Sequence, residues 1–200
     1  MIDDIRKKIK NNKLGILGEY KEASVMILLE ETNEDINVIF EVRAKSLRSQ
    51  PGDICFPGGK KEREESPKET AIRETIEELN LKENEIEIIG ELKKFVTPYG
   101  LILYPFVGRI NASHINPHKN EVEKVLRVPL KYLLNYNPKL YNLKIGPIDK
   151  TGFPFELING GENYKFREGV LKEYFYIFNG YTIWGYTAMI LKEFLEVISD

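Results

Sequence analysis

Apolar residues in this chain follow two different rhythms, and the change from one to the other locates the elements. The segments Ala23 to Leu29 and Val38 to Val42 are rich in strand-forming residues, and the polar cluster Thr32-Asn33-Glu34-Asp35 between them predicts a hairpin. From Pro67 to Leu79 the apolar spacing becomes helical. Ser66 stands where an N-cap is wanted, Pro67 takes the favoured first position and Glu69 completes a capping box. Asn80 follows the last apolar residue, which predicts a left-handed C-terminal cap. Further strands are expected at Ile86–Phe95 and Leu101–Ile110, and Tyr174–Phe178 is expected to pair with Tyr181–Trp184 across Asn179-Gly180. Ile2, Ile5 and Ile9 predict a short helix laid on the domain within an N-terminal extension, residues 1–20. Met189, Ile190, Phe194, Val197 and Ile198 predict a closing helix from Thr187 to Ile198. Strands, then a helix, then strands, then a helix predict an α/β fold in which a mixed sheet lies between helices.

Composition narrows the function classes. Two hundred residues, 42% of them hydrophobic, suit a single domain spanning 1–200 with a real core. A net charge of −2 supplies no global field toward nucleic acid or an anionic membrane, so a small-molecule partner is expected. One cysteine excludes an internal disulfide and fits a reducing compartment, with the cytoplasm as the expected location. The first residues lack the apolar core of a signal peptide, no run is apolar enough for a membrane helix, and Ile198-Ser199-Asp200 is not a peroxisomal tripeptide.

Candidate chemistry gathers on the helix from Pro67 to Leu79. With Glu74 at zero and about 100° per residue, Glu77 falls near 300° and Glu78 near 40°. Ile72, Ile76 and Leu79 fall at about 160°, 200° and 140°, so the acids are expected to face away from the apolar stripe. An acidic helical face taken alone is usually a solvated one. Clustered oxygen ligands without His or Cys suit Mg²⁺ or Mn²⁺, the ions that neutralise phosphate oxygens.

The spacing Gly59, five residues, Glu65, seven residues, Arg73-Glu74-Thr75-Ile76-Glu77-Glu78-Leu79-Asn80-Leu81 resembles the Nudix box. Thr75 replaces an aliphatic residue and Asn80 the closing glycine, while every charged position of the pattern is kept. The resemblance implies a Nudix-type α/β/α sandwich and metal-dependent hydrolysis of a diphosphate by water. It implies Glu74 and Glu78 as principal metal ligands, Glu77 as a further ligand or the base, Arg73 and Glu65 as a pair orienting loop and helix, and the Gly58 carbonyl within reach of a metal.

Upstream, Arg43-Ala44, Arg48, Gly52 and Phe56-Pro57-Gly58-Gly59 resemble the additional signature of the coenzyme A diphosphatase branch, with Glu41 where that branch usually has Thr. The likeness runs from about Val25 to Phe194. It implies coenzyme A or its thioesters as substrate, with 3′,5′-ADP and 4′-phosphopantetheine, or its acylated form, as products. Arg43 and Arg48 would grip phosphates, and family likeness leaves room for a homodimer. ADP-ribose, dinucleoside polyphosphates or nucleoside triphosphates are the alternative substrates, and a non-catalytic nucleotide-sensing module is the alternative class.

Three other features carry less. Asn116-Pro117 disfavours the helix that a metal pair of His114 and His118 would need, so a loop is expected there. Cys55 has no adjacent base and reads as an inert thiol. Glu121 fits an extra carboxylate or a helix-start acid equally well.

Overall fold

The computed structural model describes residues 1–12, 15–33, 35–112 and 114–199. The helices are α1 (Ile2–Lys10), α2 (Pro67–Leu79), α3 (Leu130–Leu134) and α4 (Gly185–Ser199). The strands are β1 (Lys21–Glu31), β2 (Ile36–Arg43), β3 (Ile54–Cys55), β4 (Gly58–Lys60), β5 (Ile86–Glu91), β6 (Phe95–Val96), β7 (Leu101–Ile110), β8 (Val122–Pro129), β9 (Lys139–Ile145), β10 (Gly169–Phe178) and β11 (Tyr181–Ile183).

The predicted hairpin forms, with Leu28 opposite Ile39, although Glu34 of its turn lies outside the described residues. Around it a mixed sheet grows in the order β3-β2-β1-β7-β5, with β4 added to β1, β6 to β7 and β8 to β2. Its parallel pair is β1 with β7, where Val25 faces Pro105. A second sheet holds β9, β10 and β11. Alternation along the central strands sends side chains to two cores. Met26, Leu28 and Ile39 pack with Ala71 and Leu79 of α2, whereas Ile27 and Phe40 pack with Leu191 and Phe194 of α4. This is the sandwich of helices about a mixed sheet that the order of elements predicts.

Several expectations change. The α1 helix forms but buries no residue, so its isoleucines do not lie on the domain. The strand expected at Ile86–Phe95 divides into β5 and β6. Register slips between Ile88 and Gly90, and Pro105 of β7, opposite the gap, has no N–H to continue the ladder; its carbonyl accepts from Leu92 N–H at 2.9 Å. Strand β9 gave no amphipathic signal because six of its seven residues are exposed. The Asn179-Gly180 turn closes β10 and β11 as predicted, with both residues at positive φ. Among the described residues no helix is long and apolar enough to cross a membrane.

Candidate active site

The helix that carries the acids is fixed at both ends. Ser66 Oγ accepts from Glu69 N–H at 3.2 Å, and the Glu69 carboxylate accepts from Ser66 N–H at 2.7 Å. Asn80 takes the left-handed conformation at φ 52°, and Leu81 N–H reaches back to the Ile76 carbonyl at 3.1 Å. Between these caps, the expected stripe of Ile72, Ile76 and Leu79 meets the sheet only in part, through Leu79 and the half-buried Ile72. Thr70, Ala71, Thr75, Glu78 and Leu79 are the buried residues, and Ile72 and Ile76 lie at the flank. Glu78 shares this buried face with Thr75 and Leu79 and is therefore turned inward. Thr75 fits this face because its hydroxyl donates to the Ala71 carbonyl at 2.7 Å.

Arg73 organises the outer acids. Its Nε and Nη2 donate to the two oxygens of Glu65 at 2.6 and 3.2 Å, Nη1 donates to Glu74 at 3.0 Å and to Glu77 at 3.1 Å, and Nη2 also reaches the Lys60 carbonyl at 3.3 Å. The fork from Arg73 holds the Glu65 carboxyl down to about 2. Glu77 remains 56% exposed.

Two glycines bring the loop under these acids. Gly58 pairs with Val25 and Gly59 with Ser24. A Cβ on Gly58, at φ +149°, would lie 2.2 Å from the Ser24 carbonyl oxygen; a Cβ on Gly59 would lie 2.4–2.5 Å from the Glu74 carboxylate. Gly58 N–H donates to Glu78 Oε2 at 2.8 Å.

The inner acids are electrostatically costly. Glu78 is 7% exposed, and burial pushes its carboxyl up to about 7 against the opposing Gly58 bond, with Glu74 and Glu121 adding to the rise. On β2, Glu41 is 1% exposed; burial first and the neighbouring Glu78 second push it well above the carboxylate range. Burial also raises Glu74, although Arg73 opposes it. Glu121 sits just before β8, so it is not a helix-start acid, and its charge is felt at Glu41, Glu74 and Glu78.

This donor set fits a divalent ion. Among the described residues no three His, Cys, Asp or Glu side chains form a ready-made cage. Yet all the donors are oxygens, Gly59 leaves space that a Cβ would fill against Glu74, and Glu41 Oε1 is buried without a hydrogen-bond partner. Glu74 and Glu78 are the residues that would hold the ion, with Glu77 as a further ligand or the base.

Beside the acids opens a cavity of about 570 Å³ lined by Arg43, Val25, Leu103, Leu143, Leu171 and Trp184, among others. Arg43 bridges the two regions, lining the cavity while its charge opposes the rise at Glu78. Arg48 is exposed on the following turn and is not part of that lining. Cys55 shares the cavity wall, and burial together with the charges of Glu41 and Glu78 pushes its thiol up to about 12, as an inert cysteine requires. His114 and His118 lie in a loop, where His118 N–H donates to the Glu78 carbonyl at 2.8 Å. Sequence reasoning missed Glu41 as a neighbour of the acids; its one signal was a charged residue inside an apolar strand run.

A family profile described as NUDIX domain matches residues 20–145. The chain is 30% identical over 149 residues to a peroxisomal coenzyme A diphosphatase of Mus musculus, covering 72% of this chain and 62% of that protein. It is 34% identical over 119 residues to a peroxisomal coenzyme A diphosphatase of Caenorhabditis elegans, covering 57% and 51%. It thus spans less than two thirds of the length of these relatives. A MutT/nudix family protein from Enterococcus faecalis superposes with a TM-score of 0.51 at 15% identity, covering 100% of this chain and 70% of that one, which shows a shared fold. A match that takes in the Gly58-Gly59 turn, α2 and the strands beneath them means that this chain belongs to the Nudix family.

Proposed function

We propose that this chain hydrolyses the diphosphate of coenzyme A or an acyl-coenzyme A with Mg²⁺ or Mn²⁺, giving 3′,5′-ADP and 4′-phosphopantetheine or its acylated form. The observation that carries the reading is the position of Arg43, which belongs at once to the wall of the cavity and to the field of the buried acids. A ligand lying along that line needs an anionic centre at one end and a largely apolar arm at the other. A diphosphate joined to a pantetheine arm has that form. The two relatives named as coenzyme A diphosphatases support the same substrate class.

Glu74 and Glu78 would hold the ion, with the Gly58 carbonyl as a further donor. When bound, the divalent ion neutralises phosphate oxygens and makes water more acidic. Arg43 orients one phosphate. Arg73 keeps Glu65, Glu74 and Glu77 from splaying apart. The water oxygen bonds to one phosphorus as the bridging P–O bond breaks, and Glu77, the most exposed acid of the three, takes the proton.

The test is product identification by mass spectrometry after incubation of the full chain with coenzyme A and Mg²⁺ in ¹⁸O-labelled water. Expected products are 3′,5′-ADP and 4′-phosphopantetheine, one of them carrying a single label. Intact coenzyme A beside rapidly cleaved ADP-ribose or dinucleoside polyphosphate would overturn the substrate assignment. No cleavage of any of them would leave a nucleotide-sensing module.

A further inference from the structure

We propose that Glu41 is a further ligand of the divalent cation, supplied by the sheet opposite the Nudix helix; this rests on the reading that Glu74 and Glu78 hold such an ion. In β2 the residues Ile39 and Glu41 share one face by alternation, and Ile39 packs in the core beneath α2. Glu41 therefore points toward the helix that carries the acids, and Glu78 is the acid whose charge it feels most strongly. Across the β2–β3 pair it stands opposite Cys55, which offers no positive charge.

A structural role would need a hydrogen-bond partner for each oxygen of this carboxyl, because a buried polar group left without one is costly and a buried unpaired charge more so. That set is incomplete among the described residues. Glu41 Oε1 has no hydrogen-bond partner although the residue is 1% exposed. The cationic side chain with a charge effect there, Arg43, makes no ion pair with Glu41 and donates its Nε to the Ser49 carbonyl at 3.4 Å. The charged groups facing Glu41 are otherwise acids, Glu78 from α2 and Glu121 from the segment before β8. Two carboxyls brought together from opposite elements, one with an unpartnered oxygen, offer the oxygen donors that a hard cation takes. The ion would then be gripped from both the helix and the strand, which ties its position to the sheet rather than to one flexible helical edge.

Opposite signs in two measurements separate this role from a packing role. The full-length protein and its Glu41→Gln and Glu41→Thr variants are titrated with Mn²⁺, free ion being read by electron paramagnetic resonance, and melted with and without Mn²⁺. Both variants should bind Mn²⁺ at least about tenfold more weakly, with a smaller metal-induced rise in Tm, while their metal-free Tm stays equal or increases. Mn²⁺ affinity within about twofold of the parent in a folded variant overturns the proposal. Direct contact is read with Glu41→Cys in a Cys55→Ala background titrated with Cd²⁺. A thiolate-to-cadmium charge-transfer band that Cys55→Ala alone lacks is expected, and its absence overturns ligation. If the parent protein binds no Mn²⁺ that Glu74→Gln releases, the underlying reading fails; if it does and the Glu41 variants bind equally well, only the Glu41 assignment fails.

Discussion

Replacing Gly59 by alanine probes whether the Glu74 carboxylate must occupy its observed place. The added Cβ would sit 2.4 Å from that carboxyl carbon, and ordinary contact begins at 3.4 Å, so the carboxylate must retreat by about 1 Å. The clash is with the far end of a side chain, which gives way more cheaply than backbone, and Gly59 has no positive φ, so the folding cost should stay below about 1 kcal/mol. A 1 Å misplacement of a catalytic group costs on the order of 10²-fold, or about 2.7 kcal/mol of transition-state stabilisation. Gly58 is the control. Its Cβ would strike the Ser24 backbone at 2.2 Å with no rotamer to relieve it, at a left-handed φ, and roughly 3 kcal/mol or more of stability should be lost. Thermal melts and kcat/KM on a diphosphate substrate are measured for both variants. Gly59→Ala with activity within a few-fold of the parent and an unchanged Tm would refute the placement of Glu74 as an ion-holding group.

Glu74→Gln and Glu78→Gln should each cut kcat by roughly 10³-fold or more at saturating Mg²⁺ with the fold retained by circular dichroism, since each removes charge from the ion site. Arg43→Ala should raise KM for coenzyme A by about tenfold or more, as loss of a charge-assisted bond implies, whereas the exposed Arg48→Ala should shift it by less than about threefold; equal effects would contradict the cavity assignment. The Glu78 carboxyl, at about 7 in the fold against 4.5 in the unfolded chain, binds more protons when native, so metal-free stability falls as pH rises from about 4.5 to 7. Glu41 and Glu74, both also raised, act in the same direction, and Glu121 and Arg43 are the remaining charges facing Glu78. The fall is of order 3 kcal/mol, Glu78→Gln should flatten it, and a metal-free Tm that rises over this range would contradict the buried-acid account.

Much of the fold was legible because its signals are local. The Ser66 capping box and the Asn80 cap place α2 to the residue, and Asn179-Gly180 closes its hairpin as the dipeptide requires. Legibility failed where a partner far along the chain decides. Of the stripe Ile72, Ile76 and Leu79, Leu79 is buried fully against the sheet, while the small Ala71 and Thr75 fill the rest of that face in place of Ile76. The isoleucines of α1 have helical spacing but nothing covers them among the described residues. Strand β9 carries little amphipathic pattern, being paired with β10 at a largely exposed place.

By itself the sequence determined which acids share one helical turn, where that helix starts and stops, and that the donors are oxygen and not sulfur or imidazole. These follow from rise per residue, capping and side-chain chemistry, all of which act within a few residues. Only the tertiary structure decided that Glu78 is buried and Glu77 exposed, that Glu41 comes to face Glu78 from a strand 37 positions earlier, and that Arg43 but not Arg48 lines the cavity. Burial and electrostatic neighbours are properties of the packed arrangement, set by contacts such as β1 against β7 and α2 against β1, which no local pattern encodes.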